Sequence, residues 1–293
     1  MDHRTELFQR HRRRLLGVAY RMLGSTSDAE DVLQDAWLRW NESDTDGLRS
    51  PEAWLVTVVS RLAIDRLRAL RAERERYPGL WLPEPLVEPI EDDTPQSLLE
   101  RADDVSVALL KVLEQLGPEE RAAFVLRQVF DMDYGELAQA LGKSEAAARQ
   151  LVHRASERVR AGRPRFAADP ENHRRLVAAF AEAAGCGDLA GMRALLTEQA
   201  ELVGDGGGKV PSFDFVLQGA RRLAMVYFAV RRRFDGQVAY RLVRVNGEPG
   251  LARLIAGTLE SVHAFEFAGE RIAAIHVQRN PDKLARAAAV TSR

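Results

Sequence analysis

The side chains best equipped to engage another molecule fall in two arginine-rich runs. Arg61 to Arg76 holds six arginines against three acids, Asp65, Glu73 and Glu75. Lys143 to Arg165 holds seven Lys or Arg against two acids, Glu145 and Glu157. Net charge is only −1 because the acids gather elsewhere, in Asp28–Asp35, Glu84–Asp104 and Glu114–Glu120. Clustered guanidinium groups gain affinity for phosphate by releasing counterions, so the distribution of charge points to nucleic acid where its sum does not. The bland alternative for a charge run is a solvated face.

Other chemistry is thinly supplied. The six histidines are scattered, and none pairs with a second ligand at metal-site spacing. Asp205-Gly206-Gly207-Gly208-Lys209 is no phosphate-binding loop: Val203 stands where its first Gly should be, and Val210 follows the Lys instead of Ser or Thr. Asp214, His263 and His276 are the candidates for acid–base work in the C-terminal third, and the sequence puts none in a convincing pair. Phe213, Phe215, Tyr227 and Phe228 there read as core or pocket lining. No catalytic residue, metal or cofactor is expected. Cys186 is the only cysteine, so no internal disulfide is possible and a reducing cytoplasm is the natural compartment. No stretch approaches the roughly 20 apolar residues of a membrane span. Met1–Leu16, with Arg12, Arg13 and Arg14, lacks the apolar core of a secretory signal.

The elements that must position the basic runs are helical. A chain of 293 residues suits two or three domains. Residues 1–75 form a first helical domain, in which Leu7, Leu15, Val18, Ala19, Met22 and Leu23 recur at helical spacing. Ser27 with Glu30 makes a capping box for a second helix that turns Val32, Leu33, Ala36, Trp37 and Trp40 inward. Its outer face carries Asp28, Asp31, Gln34, Asp35 and Arg39. After a polar loop, Asn41–Arg49, a third helix starts at Ser50-Pro51, and Arg61, Arg66, Arg68 and Arg71 lie along it. Trp54 on that helix is core by default, or the wall of a site for an unstacked base. Residues 76–103 hold five of the twelve prolines and read as an extended acidic linker.

Residues 104–162 are helical again and contain a helix-turn-helix. Leu137, Ala138 and Leu141 give its first helix an apolar face, Gly142 permits a tight turn, and Ser144 caps the second helix. Ala148, Leu151 and Val152 hold that second helix against the first. Glu145, Arg149, Gln150, His153 and Arg154 are left outward, where Arg149 and Gln150 can read base edges and His153 and Arg154 suit phosphate. An ordinary helical hairpin would fit the apolar pattern equally well, and the continuing run Arg154, Arg158, Arg160 favours DNA. From 169 to 293 the pattern changes to an α+β domain. Helices are expected at His173–Ala184 and Leu189–Leu196. Strands are expected at Glu201–Val203, Ala224–Val230, Gln237–Val245, Leu251–Leu259, His263–Phe267 and Arg271–Gln278. Asn246-Gly247 is a turn between two of them.

The segments DAEDVLQDAWLRW (28–40), SPEAWLVTVVSRLAIDRLR (50–68) and DYGELAQALGKSEAAARQLVHRA (133–155) stand in the order and spacing of domains two and four of sigma factors. The chain resembles the extracytoplasmic-function type of bacterial RNA polymerase sigma factor, with domain three replaced by the linker. The resemblance implies that Asp31, Gln34, Asp35 and Leu38 dock the polymerase β′ clamp helices, with the β flap as a further core contact. It implies that the 41–49 loop and the third helix, through Trp54, Arg61, Asp65, Arg66, Arg68 and Arg71, melt the minus-ten element and hold its bases single-stranded. Ser144, Glu145, Arg149, Gln150, His153 and Arg154 would read the minus-35 duplex. Arg61 departs from the pattern, since many such factors carry Asn there, and a base-specific role at that position is in doubt.

Three short motifs, WLPEP (Trp81, Leu82, Pro83, Glu84, Pro85), DGGGK (Asp205–Lys209) and NPDKL (Asn280, Pro281, Asp282, Lys283, Leu284), resemble signatures of a subgroup with a fused SnoaL-like, NTF2-like cone domain. In that subgroup the extension stands in for a separate anti-sigma factor. Read as residues alone, Trp81 among prolines is an apolar anchor for a groove, the three glycines make a bend where another segment approaches closely, and Asn280-Pro281-Asp282 is a turn. The expected architecture is therefore multidomain, with two all-α domains and a C-terminal α+β cone. The expected function is promoter-specific initiation modulated by the tail. Two competing functions are a helix-turn-helix repressor that works without polymerase, and a tail that is an enzyme or binds a small-molecule ligand.

Overall fold

The computed structural model describes residues 3–43, 48, 50–90, 105–162 and 170–291. The chain divides into two compact units, one of residues 1–76 with 109–163, the other of residues 77–108 with 164–293. Residues 44–47 and 49 of the polar loop, and 91–104 of the acidic linker, lie outside the described residues.

The first unit is helical. Helices α1 (His3–Leu23), α2 (Thr26–Glu42) and α3 (Pro51–Arg74) pack on one another. Leu15, Val18, Ala19, Met22, Leu33, Ala36, Trp40, Leu55, Val59 and Ala63 are buried among them. Gly24, with φ +68°, ends α1 in the left-handed conformation. That places Ser25 at the start of α2, where its hydroxyl accepts from the Asp28 amide at 3.2 Å. The cap is therefore Ser25 and not the expected Ser27, because the abrupt stop at Gly24 leaves no spacer between the two helices. Ser50 caps α3 at 3.2 Å from the Ala53 amide, with Pro51 in the first turn.

Helices α4 (Val107–Leu113), α5 (Pro118–Phe124, extended by a π-helical turn Val125–Val129), α6 (Tyr134–Leu141) and α7 (Glu145–Gly162) follow. Gly142, φ +64°, makes the turn between α6 and α7, and Ser144 accepts from the Ala147 amide at 3.3 Å. Leu137, Ala138, Ala148, Leu151 and Val152 are buried as their spacing predicts. Arg121 is 1% exposed. Its Nε donates to the Arg21 carbonyl at 3.1 Å, and Glu114 pairs with both Arg121 and Arg74. The acidic stretch 114–120 is thus partly interior, where the sequence suggests surface.

The second unit is a seven-stranded sheet with helices. After α8 (Pro170–Cys186) and α9 (Leu189–Leu195) come β2 (Leu196–Asp205), β3 (Leu217–Gln218), α10 (Ala220–Arg233), β4 (Val238–Val245), β5 (Glu248–Ile255), β6 (Thr258–Ala268), β7 (Arg271–Gln278) and α11 (Pro281–Thr291). The seventh strand, β1 (Val87–Pro89), comes from the proline-rich segment and pairs antiparallel with β4, Val87 opposite Val245. The strand order is β1-β4-β5-β6-β7-β2-β3, and only β2 with β7 is parallel. Pro89 is tolerated because β1 is an edge strand. Asn246 and Gly247, at φ +52° and +79°, form the two-residue β4–β5 turn. The expected strand Ala224–Val230 is instead the middle of α10. Its apolar run is short enough to suit either element, and the structure buries Leu223, Ala224 and Tyr227, one face of a helix, with arginines at both ends. Helices α8 and α10 cover one face of the sheet over a core of Phe180, Ala184, Leu202, Leu251, Phe265 and Ile275. The opposite face carries Val87, Val243, Val245, Val262 and Leu284.

Candidate nucleic-acid interface and a buried carboxylate clamp

The outer face of α2 presents Asp31, Gln34, Asp35 and Leu38, all exposed, opposite buried Val32, Leu33, Ala36 and Trp40. Leu38 is 51% exposed, one large apolar side chain on an acidic stripe. That combination suits a basic partner with an apolar contact at its centre.

Along α3, Arg61, Asp65, Arg68 and Arg71 are exposed and Arg66 is half-buried. Their cations already have acceptors inside the same unit. Arg61 Nε donates to the Ala140 carbonyl at 3.0 Å, and its terminal nitrogen to that of Gln139 at 2.8 Å. These belong to the last turn of α6, where unpaired carbonyls and the helix dipole favour a cation. Arg66 pairs with Asp28 at 2.7 Å, Arg68 with Asp65 and Glu119 at 3.0 Å each, and Arg71 with Glu75 at 3.8 Å. Trp54 is half-buried, its ring 5.5 Å from that of Trp40. In this arrangement Arg61 acts as a strut between α3 and α6, which only a long, forked donor could be. The departure from Asn has a structural reason.

Helix α7 turns Glu145, Arg149, Gln150, His153 and Arg154 outward. Arg149 is held by Glu145 at 2.9 Å and lies over the Tyr134 ring at 4.3 Å. His153 is 3.5 Å from Glu157, while Arg154 and Arg158 share Glu120 at 3.6 and 2.5 Å. Surface ion pairs of this kind contribute at most about 1 kcal/mol each, so phosphate can displace them.

The second unit brings the three short motifs to one place. Asp205, the last residue of β2, is fully buried and accepts five hydrogen bonds. Its Oδ1 receives the Tyr77 hydroxyl at 2.7 Å and the Gly207 amide at 3.0 Å. Its Oδ2 receives the Leu82 amide at 2.9 Å, Lys283 Nζ at 2.7 Å and Gln278 Nε2 at 3.1 Å. A carboxylate taken out of water needs this density of donors. Lys283 also donates to the Leu82 carbonyl at 2.7 Å and lies 4.4 Å over the Trp81 ring. Gln278 reaches the Leu82 and Pro83 carbonyls at 3.4 and 3.3 Å. Asn280 donates to the Tyr77 hydroxyl at 2.9 Å and accepts from the Asp282 amide at 3.1 Å, starting α11 with Pro281 in its first turn. Burial and then the Asp205 carboxylate push the Tyr77 phenol well above its ordinary range.

Around this centre, Leu82, Pro83, Glu84 and Pro85 are buried, and Glu84 lies 3.9 Å from Arg286. The anchor is Leu82, 1% exposed, where the sequence suggests Trp81; Trp81 instead covers Lys283. Lys209 pairs with Asp282 at 2.5 Å, and Leu284 packs with Val87. The glycines allow the close approach expected of them. A Cβ on Gly207 would sit 2.3 Å from Asn280 Nδ2, and one on Gly208 2.6 Å from Pro78 Cγ. Both have positive φ, +61° and +69°, and Gly206, also buried, accepts from the Lys209 amide at 3.0 Å to close the bend. Tyr77 and Gln278, essential to the clamp, carry no signal in the sequence; each becomes a partner only when the segments meet.

Of the residues considered for acid–base work, Asp214 is exposed, and His276 pairs with Glu266 at 2.5 Å. His263 is fully buried between the Tyr227 hydroxyl and Ser261 Oγ, both at 2.8 Å. Among the described residues no cluster of three or more His, Cys, Asp or Glu could hold a metal ion, and no helix is long and apolar enough to cross a membrane.

Sigma-70 region 2 matches residues 7–73, and Sigma-70, region 4 matches residues 106–159. The extracytoplasmic-function RNA polymerase sigma factor SigJ of Mycobacterium tuberculosis is 38% identical over 289 residues, covering 94% of this chain and 91% of SigJ. The probable sigma factor SigI of the same organism is 29% identical over 97% of this chain and 95% of its own. The crystal structure of Mycobacterium tuberculosis SigJ superposes with a TM-score of 0.77 at 34% identity, covering 96% of this chain and 98% of that one.

Proposed function

The chain belongs to the extracytoplasmic-function RNA polymerase sigma factors, and we propose that its C-terminal unit modulates promoter-directed initiation through the clamp on Asp205, in place of a separate anti-sigma factor. The observation that carries this is the convergence of Trp81–Pro85, Asp205–Lys209 and Asn280–Leu284 on one buried carboxylate. The clamp fixes residues on both sides of the span 91–104 to the tail: Leu82 on Asp205, and the Val105 carbonyl on Asn246 Nδ2 at 3.2 Å. Unclamped, the segment Tyr77–Ala108 could reach about 110 Å when extended. Holding its two sides on a folded body sets how far the two promoter-reading segments can separate.

The promoter-binding roles in this reading rest on the family membership, and the exposure of most of these side chains supports them. Asp31, Gln34, Asp35 and Leu38 dock core polymerase at the β′ clamp helices. Trp54, Asp65, Arg66, Arg68 and Arg71 serve the minus-ten strand, Arg149 and Gln150 read minus-35 base edges, and Ser144, Glu145, His153 and Arg154 set the register of that helix on the duplex. Arg61 reaches phosphate only once it leaves the Gln139 and Ala140 carbonyls, so DNA engagement opens the first unit. In this reading the factor acts on cytoplasmic polymerase and the tail is regulatory, with His263 a buried structural link between Tyr227 and Ser261.

The test is run-off transcription with purified core polymerase, comparing the full chain with Asp205→Asn on a promoter library. Altered promoter choice or output supports the modulating role. Unchanged transcription from a variant whose 77–90 segment is demonstrably released overturns it. Separately, Arg149→Ala should relax preference at one minus-35 position by about 1–3 kcal/mol.

A further inference from the structure

The C-terminal unit has a half-open cavity of about 240 Å3 that the clamp does not use. Leu202, Phe213, Val226 and Val277 form apolar walls, and Arg253 and Arg279 supply the polar edge. The two arginines share one carboxylate. Arg253 binds Glu260 Oε2 at 2.8 and 2.6 Å, and Arg279 Nε binds Oε1 at 2.7 Å. Arg279 also donates to the Pro211 carbonyl. Two guanidinium groups against one carboxylate leave a net positive charge beside the cavity. His263 does not cancel or add to it. Burial first, then Arg253 and Arg279, lower its pKa well below the ordinary histidine value, so the imidazole is neutral at pH 7. Arg253 is 4% exposed and supports the field from within. The Arg279 side chain, 27% exposed, is the one an incoming group would meet.

We propose that this cavity binds a small monocarboxylic acid with an aromatic or short branched apolar body, its carboxylate against Arg279. Size agrees, since an apolar cavity of about 150 Å3 accommodates benzene and drug-sized ligands occupy about 300–1,000 Å3. The space holds one ring and a short acid arm. A carboxylate matches the planar fork of Arg, and one negative charge balances the surplus. A neutral molecule would leave the surplus charge facing an apolar void, and a dianion would overcompensate it. The ligand would lie back to back with the clamp. Side chains alternate along a strand: Leu202, Gly204, Val277 and Arg279 face the cavity, while Asp205 and Gln278 face Leu82.

The experiment is calorimetric titration of the full chain with phenylacetate, with phenylacetamide as neutral isostere and phenyl phosphate as dianion. Phenylacetate should bind at least ten-fold more tightly than either. Arg279→Gln should abolish the preference over the amide, and Val226→Trp, which fills the cavity, should abolish binding of all three. Equal binding of acid and amide in the wild-type protein overturns the proposal, as does tighter binding of the phosphate or no binding at millimolar concentration. These readouts do not depend on transcription, so they stand or fall apart from the tail's regulatory role.

Discussion

Replacing Asp205 by Asn tests the clamp at its centre. The change keeps the shape and removes the charge, leaving the Lys283 ammonium, whose side chain is 14% exposed, without its counter-ion. The new amide also aims two hydrogens at a site already filled by the donors of Tyr77, Leu82, Gln278 and Lys283. Removing one partner of a buried pair costs about 3–5 kcal/mol, and every 1.4 kcal/mol is about a factor of ten. Opening of the 77–90 segment should become about two to four powers of ten more frequent, up to the limit set by global unfolding. Hydrogen exchange read by mass spectrometry reports this directly, because the Leu82 amide is itself a clamp donor. Peptides from β4 to β6 serve as the internal control. Exchange over 77–90 within ten-fold of wild type would refute the reasoning, since the carboxylate would then contribute nothing net over a neutral isostere.

Gly208→Ala should loosen the same clamp by about 1–3 kcal/mol, because φ is +69° and the new Cβ meets Pro78; the chemical denaturation midpoint of the second unit reads it. Arg121→Ala should cost the first unit about 1–3 kcal/mol by leaving the buried Arg21 carbonyl without its donor and Glu114 with Arg74 alone, measured as a lowered denaturation midpoint. His263 is buried neutral with its pKa lowered by burial and by Arg253 and Arg279, so the unfolded chain binds the extra proton and stability is lost as pH falls below about 6.5. The melting temperature of the second unit should therefore drop between pH 7 and pH 5.5, and His263→Gln should flatten that drop. Glu260 adds a second, lower window. Burial alone would raise its pKa, but Arg253 and Arg279 hold it below the ordinary value. Its contribution is present above about pH 4.5 and lost as pH falls further, and Glu260→Gln should remove that acid-limb dependence.

What the sequence discloses follows the range of the interactions. The helix-turn-helix was legible because its signals are local: a 3.6-residue apolar period, a glycine where φ must be positive, and a serine where a helix begins. The same locality misleads over Ala224–Val230, where seven apolar or small residues fit a strand as well as a helix, and only packing against β2 and α8 decides. The clamp was legible as three conspicuous words and not as chemistry. Asp205 meets donors 128, 123, 73 and 78 positions away, and nothing near Tyr77 or Gln278 marks them. Glu114 reads as a surface charge because charge normally is surface; its pairing inside the unit depends on Arg121 and on Arg74 from a helix the local sequence does not mention. The Tyr227–His263–Ser261 chain is hidden for the same reason: His263 stands out in the sequence, but its partners lie on another element or among ordinary strand residues.

The bond between Gln278 and Leu82 spans 196 residues, and that interval has a consequence in time. Translation at about 5–20 residues per second leaves Leu82 and Pro83 outside the ribosome for about 10–40 seconds before the strand that receives them exists. The first unit comprises residues 1–76 and 109–163 only. On every synthesis, therefore, the helices of the first unit are made before the strand that receives Leu82, and that apolar side chain waits uncovered. Five prolines in residues 76–103 keep that stretch from nucleating β-aggregation meanwhile.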